Sequence, residues 1–196
     1  MSLGPQEGRL HTDAGRAFRG VYRLYLPDAN WRADFDFSLT GFLRSYIPVL
    51  LAIFPSWISD AADRRAEGGN PSLLLLGHHF ASSLLETAVY GIAVYAVCRI
   101  LKLRGWMAFL TVLNWSDLAF SILFASTSGL NVAGPIGVDI MKTLSLLILC
   151  PAQLLFSWNA ARKVLLADRS VAVLLIVLDL GLFFGVDQLV SLAFGP

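Results

Sequence analysis

SVAVLLIVLDLGLFFGVDQLVSLAF, residues 170–194, carries Asp179 and Asp187 as its only charges. A helix rises about 1.5 Å per residue, so about 20 mostly apolar residues cross a hydrocarbon core of roughly 30 Å with every backbone donor satisfied internally. This segment therefore reads as a transmembrane helix. Four others qualify by the same test: Leu39 to Ser59, Phe80 to Leu101, Trp106 to Ser126 and Asp139 to Trp158. The composition agrees. Hydrophobic residues make up 56%, charged ones 15%, and the mean hydropathy is +0.65, whereas soluble domains run at roughly 45–50% apolar and about 25% charged. The expected fold class is all-α, an integral membrane helical bundle of about five transmembrane helices preceded by an N-terminal amphipathic helix.

The formal net charge of +1 argues against a nucleic-acid partner. Partners are expected in the membrane: lipids, other integral membrane proteins or a second copy of the chain. Cys98 and Cys150 both fall in apolar segments, so neither a disulfide framework nor a zinc spacing is expected. The first thirty residues lack the short apolar run and small-residue cleavage site of a signal peptide, and Met1 is expected to begin the mature chain.

Basic residues in short loops stay preferentially in the cytoplasm. Arg9, Arg16, Arg19, Arg23, Arg32, Arg44, Arg99, Lys102, Arg104, Arg162, Lys163 and Arg169 fall on one side, and only Arg64, Arg65 and Lys142 on the other. The split predicts an odd number of spans, with the N-terminus cytoplasmic and the C-terminus outside. Residues 1–37 are expected to form a cytoplasmic segment and 38–196 the five-span bundle. Within the first segment Phe18, Val21, Tyr22, Tyr25 and Leu26 recur at helical spacing, with Arg16, Arg19 and Arg23 on the complementary face. Two readings fit: an interfacial helix whose arginines meet lipid headgroups, or a surface helix packed on the bundle. The stretches 61–70 and 128–137 read as outer loops.

Ionisable side chains are costly inside a bilayer, so each suggests a role and a partner. On span two, His79, Ser83, Glu86 and Tyr90 share a narrow arc. Asn114, Asp117 and Ser121 share a face of span three. Asp139, Lys142, Cys150, Gln153 and Ser157 do so on span four, where Pro151 predicts a kink. Span five adds Asp179 near its middle and Asp187 near its outer end. Counting residues puts Glu86 roughly 9 Å from the outer end of its span and Asp117 roughly 17 Å from the inner end. Glu86, Asp117, Lys142, Asp179, Asp187 and His79 are thus the candidate intramembrane polar network. It is either a set of structural interhelical contacts, with Lys142 paired to Glu86, Asp117 or Asp187, or a proton or cation path. The pair His78 and His79 reads as lying at surface level.

Small residues mark close helix approach. Gly181 and Gly185 form a G-x-x-x-G opposite Asp179, with Gln188 on the same face, and Ser83, Thr87 and Gly91 form a row on span two. Either set can pack inside the bundle, the favoured reading, or against another protein. The tryptophans fall near span ends, except Trp115 at depth. No H-E-x-x-H, G-x-S-x-G, P-loop or C-x-x-C occurs, so no catalytic residue, metal or cofactor is expected.

Residues 19–55, RGVYRLYLPDANWRADFDFSLTGFLRSYIPVLLAIFP, resemble the opening of a group of small, uncharacterised bacterial inner-membrane proteins with five spans. The matching residues are Tyr22, Arg23, Asp36, Phe37, Ser38, Gly41, Phe42, Arg44 and Ser45. NWSD from Asn114 and WNAARKVL from Trp158 are consistent with it. In layout alone the chain also resembles the Yip family of membrane-trafficking proteins. The resemblance implies a bacterial inner-membrane location but no reaction, cofactor or catalytic residue. The function expected is a non-enzymatic accessory or scaffold subunit of a larger membrane assembly. The alternative is a small proton- or cation-coupled transporter or channel.

Overall fold

The computed structural model describes residues 10–27, 29–66, 68–69 and 73–194. Its elements run α1 (Leu10–Tyr25), a 3-10 turn (Ala29–Asp34), α2 (Leu39–Arg44), α3 (Tyr46–Ala66), α4 (Leu73–Ile100), α5 (Trp106–Val132), α6 (Val138–Leu144), a π turn (Ser145–Leu149), α7 (Cys150–Lys163) and α8 (Arg169–Phe194). Five helical stretches are long and apolar enough to cross a membrane: α2 with α3, α4, α5, α6 through α7, and α8. The protein is an all-α, multi-pass helical bundle. The helices outrun the expected spans into the stretches expected as loops: α3 continues to Ala66 and α5 to Val132. Backbone groups stay satisfied by extending the helix even where side chains turn polar.

Two breaks have sequence causes. Pro48 has no N–H for the Arg44 carbonyl, so span one stops and restarts. Ser45, fully buried, donates its N–H back to Gly41 and its Oγ to the Phe42 carbonyl. At the head of α2, Ser38 Oγ accepts the Gly41 N–H at 3.0 Å and Asp36 Oδ1 accepts the Ser38 N–H at 2.9 Å. A side chain at Gly41 would collide with the Asp36 carbonyl, so the cap closes only on glycine. In span four the kink expected at Pro151 is taken up just before it. The Cys150 N–H bonds the Ser145 carbonyl, five residues back, and Pro151 falls in the first turn of α7, where no donor is missed.

Contacts between neighbours close a ring: α3 lies on α5 and α4, α4 on α8, α8 on α7, and α7 on α5. α5 is its hub, also touched by α1 and α2. More than half of its apolar window is covered (56%), against 11% for α4, so α4 leaves most of its surface to lipid.

α1 decides between the two readings of the N-terminal segment, and the packed helix is the one observed. Ala17, Val21 and Leu24 are buried against α5 and α7, while Tyr22 stays 64% exposed. Phe18 meets Trp115 edge-on at 6.4 Å, and Tyr25 meets Phe156 at 5.8 Å. The Tyr25 hydroxyl donates to the Ala152 carbonyl at 2.7 Å. Lys163 Nζ caps the end of α1 through the Leu24 and Leu26 carbonyls at 2.6 and 2.7 Å. The arginines serve the 3-10 turn: Arg19 Nε and Arg23 Nη1 reach the buried Asp34 carboxylate at 3.0 and 2.8 Å, and Arg16 donates to the Ala33 carbonyl. Gly20 lets that turn lie close, since a Cβ there would stand 2.5 Å from the Phe35 ring. Ala17, Val21, Leu24, Trp31 and Phe35 therefore share one hydrophobic core with the bundle.

Candidate functional site

Three spans bring carboxylates together. α4 begins at Leu73, earlier than expected, so Glu86 lies thirteen residues, about 20 Å, from that end and near mid-depth. Asp117 on α5 and Asp179 on α8 lie at similar depth. Asp117 is within electrostatic reach of Asp179 and Glu86, and Glu86 within reach of Asp179 and Asp187. Tyr90, buried one turn along α4 from Glu86, joins α4 to α8 through its hydroxyl, 3.5 Å from the Leu175 carbonyl. The arc expected on span two divides here. Glu86 and Tyr90 face α5 and α8, whereas His79 faces α3.

The histidine pair lies near the outer end of α4, with both side chains mostly covered by neighbouring helices. Consecutive residues on a helix diverge by about 100°, so the two rings serve different neighbours. His78 Nε2 stands 3.1 Å from Ser191 Oγ and 3.6 Å from Asp187 Oδ1 on α8. His79 Nε2 stands 2.9 Å from Asp60 Oδ2 on α3, without the alignment of a hydrogen bond. Asp187 thus meets His78. Lys142 is exposed on α6, which packs on α5 and the π turn, away from the α4–α8 seam where Glu86 and Asp187 lie.

Span one carries a polar stripe that the sequence reading passed over. Asn114 Nδ2 donates to Ser45 Oγ at 2.9 Å with both groups buried, Ser56 Oγ to Ser121 Oγ at 3.3 Å, and Ser59 and Ser128 share a bond of 2.8 Å beside Asp63. The signal was there. Ser45, Ser56, Ser59 and Asp63 are 11, 3 and 4 residues apart, close to whole helical turns. Asn114 and Ser121, which share a face of span three with Asp117, turn toward span one.

The small-residue rows part company. Gly91 packs inward, 3.7 Å from Leu110 Cδ1 for an added Cβ, and Ser83 and Thr87 beside it are partly covered. Gly181 and Gly185 face away from the bundle with nothing within 4 Å, and Gln188 on the same face is exposed. The favoured internal reading is overturned for this pair. The inward side of α8 is taken by Ala172, Leu175, Val186 and Val190, which leaves the glycines on the opposite side. Among the described residues no three His, Cys, Asp or Glu side chains approach closely enough to hold a metal ion. Set against known protein families, characterised proteins and solved structures, the chain matches none.

Proposed function

We propose that the protein is a non-enzymatic accessory subunit of a bacterial inner-membrane assembly, with its N-terminus cytoplasmic, docking to another transmembrane helix through α8. The observation that carries this is the outward Gly181–Gly185 face. In lipid no hydrophobic force drives helices together, and close backbone approach at small residues supplies much of the attraction. The distribution of Arg and Lys supports the orientation, and the resemblance of residues 19–55 supports the compartment. The test is a photo-crosslinker at Gly181 in native membranes, with Leu147 on the exposed π turn as control. A single stoichiometric partner captured from Gly181, absent from Leu147 and abolished by Gly185→Leu, is expected. Equal labelling from both positions would overturn the reading.

A second reading rests on the carboxylates. Glu86, Asp117 and Asp179 come from three helices, yet they do not form a chelating group. Proton transfer through intervening groups, not direct chelation of a bare cation, is the path such an arrangement supports. Glu86→Gln should then abolish a pH-driven flux in proteoliposomes while Asp187→Asn leaves it intact. Lost stability with no wild-type flux would assign the acids to structure.

A further inference from the structure

The loops that join α4 to α5 and α7 to α8 abut at the end of the bundle where Lys163 caps α1: a side chain at Gly105 would stand 3.6 Å from the Val164 carbonyl. Trp106 opens α5 beside them and meets Phe42 and Tyr95 edge-on at 5.5 and 5.2 Å, the aromatic cluster of a membrane surface. Ile100 and Leu166 stand out from the loops, 77% and 75% exposed. Around them Arg99, Lys102, Arg104 and Arg169 are exposed, and among the described residues none of the four forms an ion pair. The one carboxylate on either loop, Asp168, accepts the Val171 N–H and caps α8. The arginines of α1 differ, since the 3-10 turn takes them up.

The cations also share a depth. Tyr90 on α4 stands opposite Leu175 on the antiparallel α8. Arg169 is therefore level with position 96, and Lys102 lies about 9 Å beyond it. That layer is about one Debye length thick, so the charges act together.

Folding by itself does not favour these residues. Lys102 (φ 55°) and Leu166 (φ 53°) occupy the left-handed region, where glycine is least strained. Arg104 lies just before α5 and Arg169 opens α8, at the positive ends of two helix dipoles. Side chains held where they cost the fold stability point to a role outside it.

We infer that the two loops bind an anionic glycerophospholipid, its headgroup among Lys102, Arg104 and Arg169 and its acyl chains against Ile100 and Leu166. Charge and apolar surface together set the occupant. An acidic protein segment or a free phosphate would answer the cations and leave the two apolar side chains uncovered, whereas a phospholipid supplies both parts.

The full-length protein in mild detergent is titrated with phosphatidylglycerol and with phosphatidylcholine of the same chain length, and native mass spectrometry counts the lipid bound. Each basic residue at an anionic surface is worth about fivefold, so three give the wild type a preference for phosphatidylglycerol of about 100-fold. Arg104→Gln with Arg169→Gln should reduce it to about fivefold. Lys102→Gly should raise the melting temperature by relieving the left-handed residue and still weaken the preference, which a purely structural role would not do. Arg64→Gln with Arg65→Gln makes the same charge change at the opposite end of the bundle and should leave the preference intact. Equal affinity for the two lipids, a preference untouched by Arg104→Gln with Arg169→Gln, an equal loss in Arg64→Gln with Arg65→Gln, or displacement of the lipid by millimolar inorganic phosphate would each overturn the assignment.

Discussion

A glycine can be indispensable to the fold of this chain or take no part in it, and only its surroundings tell which. Gly41 closes the cap of α2 against Asp36, and Gly181 looks into open space. Gly41→Ala should destabilise the protein by about 1–3 kcal/mol, the usual cost of overpacking. Gly181→Ala should leave it unchanged or stabilise it by about 0.5–1 kcal/mol through helix propensity. Thermal unfolding of both variants in detergent checks the pair. Asp34 is a similar case: it is 5% exposed and holds two arginines. Asp34→Ala should free the 3-10 turn from α1 and speed tryptic cleavage after Arg19 and Arg23. Unaltered cleavage would mean that the contacts of α1 with the bundle hold it without the Asp34 ion pairs.

At the scale of elements, α1 is fastened to α7 by Tyr25 and Lys163. Burial pushes the Tyr25 hydroxyl from 10.0 up to about 12. The folded value is raised, so the fold favours the neutral phenol that donates to Ala152. That contribution is fully present below pH 10 and is lost as pH rises through about 12. Protease accessibility of α1 should therefore climb across that window, and Tyr25→Phe should flatten the climb while loosening α1 slightly at neutral pH. The α3–α5 seam is held by hydroxyl pairs. A double-mutant cycle on Ser59 and Ser128 should give a coupling of about 0.6 kcal/mol, typical of hydrogen bonds between transmembrane helices. A coupling near zero would leave the seam to close packing.

For the whole molecule, the N-terminal segment and the spans form one core, with Leu24, Trp31 and Phe35 buried alongside Val94, Phe109 and Phe156. Removing residues 1–37 should lower the melting temperature of the bundle markedly, not leave it intact. The hub position of α5 explains why. Its inner half is covered by α1 and α2 as well as by α3 and α7, so deletion strips that half of part of its cover.

Fold class and the number of spans were legible in the sequence, because hydropathy acts over some twenty residues and needs no partner. Glu86, Asp117 and Asp179 were named there, and the tertiary structure brought them within reach of one another. The facing of α1, of Gly181 and of the two histidines was not legible. A helix offers every side chain a direction, but which direction is inside depends on the neighbour packed against it. For the same reason His78 rather than Lys142 met Asp187, and the serine stripe of span one became visible only once α5 lay against it. The sequence by itself determined that the chain lives in lipid as helices. Only the packing of those helices decided which polar groups are shared inside and which face of α8 is left open.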